Sequence, residues 1–309
     1  MIRFKEAITF DDILLEPKYS EVFSRKDINL STVLVDGIIL KNPLISSNMD
    51  TVTELTMAQT MANLGGIGVI HRFLNVEEHI SQLKSVPGIK ILAVGVKDED
   101  WTRITYAVLQ NAVDIFLIDV AHGHHLRVGQ RIQDLKEKYP NIPIIAGNVA
   151  TYFGAKDLIK AGADAIKVGI GPSSVCSTRS VAGAGVPQLT AIMEASRAAK
   201  EADRVVTVIA DGGIRSSGDI VKALAFGADS VMIGGLFSAT KESPGEIINI
   251  DNKEFDILIN MLWFEDYDKL PITVTKSLIY WSHMQWVYGT QIFTEYAKKN
   301  NLSLGFYVF

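Results

Sequence analysis

The sequence predicts an α/β fold, a closed (β/α)8 TIM barrel, on three observations. Eight short β-branched runs recur along the chain, the first seven each followed by an amphipathic stretch of helical spacing. The runs are continuously apolar rather than alternating, as strands covered on both faces must be. Glycine and polar residues gather directly after the runs, at the strand ends where such barrels hold their active sites.

The strand expectations, in order, are 43–47 (PLISS), 66–71 (GIGVIH), 91–96 (ILAVGV), 115–121 (IFLIDVA), 142–148 (IPIIAGN), 165–170 (AIKVGI), 206–211 (VTVIAD) and 230–234 (SVMIG). Helices are expected at 53–64, 76–86, 98–111, 126–139, 152–161, 189–202 and 216–226. Leu55, Met57, Met61 and Leu64 show the spacing of the first, and Asp98 is an expected helix start for the third. Right-handed crossovers then make the sheet parallel, and eight strands close it. An open doubly wound sheet is the runner-up, but the glycine-rich dinucleotide fingerprint after its first strand is missing.

The barrel is expected to occupy residues 1–255 without an inserted regulatory domain, and 256–309 to form an atypical tail. From Phe255 onward lie 13 of the 26 aromatic residues and only two of the 24 glycines. A barrel needs an eighth helix after its last strand, and the tail is the expected source.

Of the 309 residues, 48% are hydrophobic and 21% charged, which excludes disorder and coiled coil. A net charge of −5 argues against nucleic acid or an anionic membrane as partner. No apolar run reaches the roughly 18 residues of a membrane helix, and MIRFKEAITFDD lacks a signal peptide's apolar stretch. One cysteine, Cys176, excludes internal disulfides and multi-cysteine metal sites. A cytoplasmic globular protein is the expectation.

The rim residues carry the chemistry. The loop GIGPSSVCSTR (169–179) is long for a strand–helix connection, and its glycines let backbone approach a ligand. Cys176 lies within it, with Ser173, Ser174, Ser177, Thr178 and Arg179 nearby. A thiol there can serve as a nucleophile if loop amides and a cation favour its thiolate. A small buried cysteine is the bland alternative. Gly212-Gly213 and Gly234-Gly235 stand where barrels bind phosphate through backbone N–H groups, and Asp211 is placed to accept from ribose hydroxyls. His122, His124 and His125 suggest a metal cluster by eye, but loop hydrogen bonding suits their spacing better.

These motifs match a known family. TFDDILLEP (9–17), SSNMDTVTE (46–54), GGIGVIHRF (65–73), IDVAHGH (118–124), AGNVAT (146–151), KVGIGPSSVCSTR (167–179), ADGGIR (210–215) and MIGGLFSATKESPGE (232–246) occur in order. With them the chain resembles the IMP dehydrogenase and GMP reductase family. The resemblance implies an eight-stranded α/β barrel and a purine nucleotide held by its 5′-phosphate. It implies Cys176 as the nucleophile at purine C2, and Thr178 as a proton shuttle. It places Ser47, Met49, Ser174, Asp211, Gly212, Gly213, Gly234 and Gly235 on substrate, and Asp119, Asn148 and Lys167 on the nicotinamide nucleotide. A potassium ion at Gly169, Gly171 and Cys176, and a homo-tetramer, are further expectations.

Between branches, the short segment after His71, Asn48 before Met49, HRF and AVGVKDED favour a GMP reductase using NADPH to convert GMP to IMP and ammonia. SVAGAGVPQ (180–188) and SSNMDTVTE lean toward the alternative, IMP dehydrogenase with NAD and water. The family's flap motif is missing after about Phe255. That suggests a replaced or out-of-register C-terminus and leaves an impaired nucleotide-binding barrel as a third reading.

Overall fold

The computed structural model describes residues 6–173, 176, 178–250 and 253–257. It contains eight parallel strands: β1 (Leu44–Ser46), β2 (Ile67–Gly68), β3 (Ile91–Val94), β4 (Ile115–Asp119), β5 (Ile144–Val149), β6 (Ala165–Val168), β7 (Thr207–Asp211) and β8 (Ser230–Ile233). Their order is β2-β1-β8-β7-β6-β5-β4-β3. Apart from β2 and β3, which stand at the two ends of this order, each strand pairs with its neighbour in sequence, and β8 returns to β1, with Val231 opposite Leu44 and Met232 opposite Ile45. That return makes the sheet a nearly closed barrel; a doubly wound sheet would leave its first and last strands apart.

Seven helices connect the strands: α1 (Leu55–Asn63), α2 (Val76–Ser85), α3 (Asp100–Leu109), α4 (Leu126–Lys138), α5 (Tyr152–Ala161), α6 (Gln188–Lys200) and α7 (Ser217–Ala225). Local chemistry explains several ends. Asn75 and Thr151 accept from Glu78 N and Gly154 N, and Ser216 with Asp219 forms a capping box. Gly162, at φ 115°, ends α5 in the left-handed region. α3 begins at Asp100, two residues after the expected Asp98, because the Asp100 carboxylate accepts from Gly95 N and Lys97 N. After β8 comes a short helix, Gly235–Ser238, then an antiparallel pair, Glu246–Ile250 and Lys253–Ile257. The tail and its expected eighth helix lie outside the described residues.

Two cores explain the continuous apolar runs. Along β4, Ile115 and Leu117 face the barrel interior, while Phe116 and Ile118 face the helices. The interior is stoppered at its lower end by an antiparallel hairpin, Thr32–Val35 with Ile38–Leu40. Leu34, Val35 and Leu40 pack with Ile45, Ile91, Ile145 and Met232. Thr32 Oγ1 donates to Asp229 O at 2.7 Å, and Thr207 Oγ1 donates to Leu34 O. The hairpin was not among the sequence expectations, although its turn, Asp36-Gly37 with Gly37 at φ 79°, is a strong hairpin signal between β-branched residues.

The upper interior is charged. Lys167, in β6, is buried, and its ammonium lies 2.7 Å from Asp119 Oδ1 and 2.6 Å from Asp211 Oδ2, at the ends of β4 and β7. Burial alone would favour the neutral amine, but the two carboxylates raise the lysine's pKa. Burial likewise pushes Asp119 up, yet Lys167 and Asn48 hold it below the usual carboxylate range, with the charge of Arg72 adding to them.

Two stability predictions follow from buried charge. Lys167→Met leaves two carboxylates facing each other without a cation, and should cost about 3–5 kcal/mol in denaturant unfolding; a loss below about 1 kcal/mol would show that the ammonium is not holding the strand ends. His79, fully buried in α2, accepts from Arg103 Nη1 at 2.6 Å. Burial, Arg103 and His71 together push its pKa down to about 3. The unfolded imidazole, near its ordinary value of 6.5, takes up a proton first. Stability from this group is therefore complete above pH 6.5 and is lost as pH falls toward 3, by up to ~1.4 kcal/mol per pH unit. Urea midpoints across that range should fall less steeply for His79→Gln than for the wild type.

Candidate active site

At the C-terminal rim, the end of β1 turns through Ser47, Asn48 and Met49. Thr53 holds this turn: its hydroxyl donates to Ser47 O at 2.7 Å and lies 2.8 Å from Ser46 Oγ. Gly234 lies alongside, since a Cβ there would stand 3.3 Å from Met49 Sδ and 3.4 Å from Ser47 Oγ. The expected Ser47, Met49, Gly234 and Gly235 are thus brought together, with Gly235 opening the short helix after β8.

The thiol loop leaves β6 at Gly169 and packs on the turn after β7. Pro172 Cγ would be 2.9 Å from a Cβ at Gly212, and Ser173 N 3.6 Å. Gly212 and Gly213 have φ of 88° and 81°, in the left-handed region. Phe10, buried at the N-terminus, backs Gly213 from the other side, 3.3 Å from where a Cβ would be. Lys222 Nζ donates to Phe10 O at 2.7 Å, and Arg215 pairs with Asp11, so the N-terminal segment braces this turn.

Cys176 is exposed, which sets aside the buried-cysteine reading. Its backbone N–H donates to Ser173 O at 3.1 Å, and its thiol donates to Thr178 Oγ1 at 3.2 Å. Thr178 opens a short helix, Thr178–Ala182. Arg179 donates to Ile170 O and Val186 O, at 3.1 and 2.6 Å, and so ties the two arms of the loop together. Ser174 and Ser177 lie outside the described residues.

Asp119, Asn148, Lys167 and Asp211 form one network. Asn48 Nδ2 donates to Asp119 Oδ2 at 2.9 Å. Asn148 Nδ2 donates to Asp211 Oδ2 at 2.8 Å and to Gly169 O at 2.7 Å. Lys167 turns to the two carboxylates and links β4 to β7 through itself. Asp119, anionic and partly exposed at the mouth, can accept from the hydroxyls of a bound dinucleotide. Asn148 Oδ1 is buried without a partner among the described residues. Asp119 fits a nicotinamide nucleotide. Gly169 O is already engaged by Asn148, and no group of three or more His, Cys, Asp or Glu is clustered among the described residues.

The histidines do structural work. His125 caps α4 by accepting from Arg127 N at 3.2 Å, and His124 pairs with Asp157 at 2.9 Å. Sequence reasoning missed Thr53, Phe10 and Gln188 as site residues. All three lay within quoted motifs, Gln188 as the last residue of SVAGAGVPQ, but none was singled out. A cleft of about 470 Å³ at the lower ends of α6 and α7, lined by Ser196, Lys200, Arg204 and Asp229, borders none of the expected site residues. No described helix is long and apolar enough to cross a membrane.

The sequence that builds this rim has counterparts among known proteins. Residues 7–261 match the IMP dehydrogenase / GMP reductase domain. The chain is 40% identical to inosine-5′-monophosphate dehydrogenase of Borreliella burgdorferi, over 83% of this chain and 76% of that protein. It is 42% identical to the enzyme of the same name from Cryptosporidium parvum, over 78% and 70%, and 32% identical to that of Nitrosopumilus maritimus, over 84% and 81%. An NAD(P)-dependent oxidoreductase acting on IMP or GMP is what such membership means, and on this fold, this rim and these matches the chain belongs to the IMP dehydrogenase / GMP reductase family.

Proposed function

We propose that the chain is an IMP dehydrogenase, oxidising IMP to XMP with NAD and water. The observation that carries this is the dehydrogenase name of the relatives at 40% and 42% identity, each matched over more than three quarters of this chain. The short segment after His71 does not argue for the reductase. Alignments with the Borreliella and Cryptosporidium proteins span 309 and 287 positions, against 387 for the Nitrosopumilus protein, so compact members carry the dehydrogenase name too.

The chemistry follows from the rim. Gly212 N donates to Met232 O at 3.3 Å, whereas the backbone N–H groups of Gly213, Gly234 and Gly235 suit the 5′-phosphate, and Asp211 suits the ribose. Purine C2 lies between two ring nitrogens and is electron-poor. Cys176 Sγ adds to it, forming a C–S bond and a tetrahedral carbon. NAD, for which Asp119 and Asn148 are the candidate contacts, supplies the acceptor for the hydride that leaves C2. Water then attacks C2, the C–S bond breaks, XMP leaves, and the thiol is restored. Thr178 Oγ1 accepts from the thiol at 3.2 Å and can relay its proton to water by donating its own hydroxyl proton onward, with the reverse relay restoring the thiol. The chemistry proposed does not run through a cation.

Reduced nicotinamide should accumulate when the purified chain is given IMP and NAD. Consumption of NADPH with GMP, and none of NAD with IMP, would make it a reductase instead. Nucleotide binding without either turnover would support the impaired barrel suggested by the missing flap motif. Cys176→Ala should abolish turnover while calorimetric IMP affinity changes only a few-fold; retained turnover would remove the thiol from the mechanism.

A further inference from the structure

We propose that Gln188 is a positioning residue that locks the root of the thiol loop to the end of the strand carrying Asp211; this rests on Cys176 being the nucleophile of the reaction above. Gln188 is the first residue of α6 and is 1% exposed. Its Nε2 donates to Val168 O at 2.9 Å and to Asp211 O at 3.1 Å. Val168 ends β6, one residue before the loop departs, and Asp211 ends β7. The β6–β7 ladder stops at Val168 opposite Ala210, so the Gln188 amide carries the connection one residue further.

Asn148 repeats this arrangement on the side-chain level, joining Gly169 O to Asp211 Oδ2. One amide holds the backbone of residue 211, and the other its carboxylate. All four partners are acceptors, which fixes the nitrogen end of each amide. Both amide oxygens, Asn148 Oδ1 and Gln188 Oε1, are buried with no partner among the described residues. Burying an acceptor unpaired opposes folding, so whatever these two amides contribute comes from their N–H groups.

Gly169 makes the clamp possible. Its φ is 144°, and a Cβ there would lie 2.1 Å from Asp211 O and 2.9 Å from Gln188 Nε2. With no side chain at 169, strand end, loop root and amide meet directly. The distance from Sγ to purine C2 is then set by the same carboxylate-bearing residue that suits the ribose, and small displacements of a nucleophile are costly in rate.

The test uses the full chain, Gln188→Met as a shape match without donors, and Gln188→Asn as a milder change. Each is compared with wild type for calorimetric IMP affinity, kcat and KM, thermal midpoint, and iodoacetamide alkylation of Cys176 with and without saturating IMP. Asp211 keeps Lys167 and Asn148, so IMP affinity should stay within about threefold. In the wild type IMP should shield Cys176; in Gln188→Met the shielded rate should rise at least about tenfold, and kcat should fall about tenfold or more without a matching change in KM. Wild-type shielding with kcat within about twofold would overturn the proposal. So would a loss of affinity, kcat and thermal midpoint together, or a wild-type thiol that IMP does not shield. If Gln188→Met fails to fold, Gln188→Asn decides by the same readouts. A wild type without turnover sinks the dehydrogenase reading but leaves the alkylation comparison intact.

Discussion

The upper half of this barrel is organised around one buried ammonium. Lys167 stands between Asp119 and Asp211 at 2.7 and 2.6 Å, and no one of the three is comfortable at that depth alone. Together they fix the relative heights of β4, β6 and β7, and each carboxylate is finished by an asparagine, Asn48 on one side and Asn148 on the other. Two carboxylates around one cation make this part of the rim suited to hydroxyl-bearing ligands rather than to phosphate.

The thiol loop is built on the opposite plan. Its contacts are mostly backbone: Arg179 holds two carbonyls, Cys176 N holds another, and Gly169 and Gly212 accept close neighbours that no side chain would tolerate. Such a loop can present an exposed sulfur without a packed core beneath it. The rigidity comes from the charged network and the amides at its root. This arrangement lets one residue be reactive while its surroundings stay ordered.

Much of the barrel was legible in the sequence, because strands buried on both faces need unbroken apolar runs and the helices between them carry caps such as Asn75 and Ser216. The rim was legible for the same reason: Asp119 and Asp211 end strands. Lys167 was legible only in part. Its period-two register with Ala165 puts it inside the barrel, but its partners lie 48 and 44 residues away in sequence. Gln188 closes the quoted motif SVAGAGVPQ, but its role was not legible, since it exists only through carbonyls of two other strands. The Asp36-Gly37 turn was present in the sequence and went unused, because a search for parallel strands passes over a two-residue hairpin. The branch within the family was not legible: the short segment after His71, Asn48, HRF and AVGVKDED point one way, and the dehydrogenase names of the relatives point the other.

The hairpin at the lower end has a consequence for solvent. With Leu34, Val35 and Leu40 seated among the interior aliphatics, the barrel is a blind cup rather than a tube. The charged trio therefore meets bulk water from one side alone, through the opening that a ligand would fill. A ligand filling that opening would dry the ammonium and carboxylates beneath it, so that their mutual attraction would strengthen when the cup is occupied.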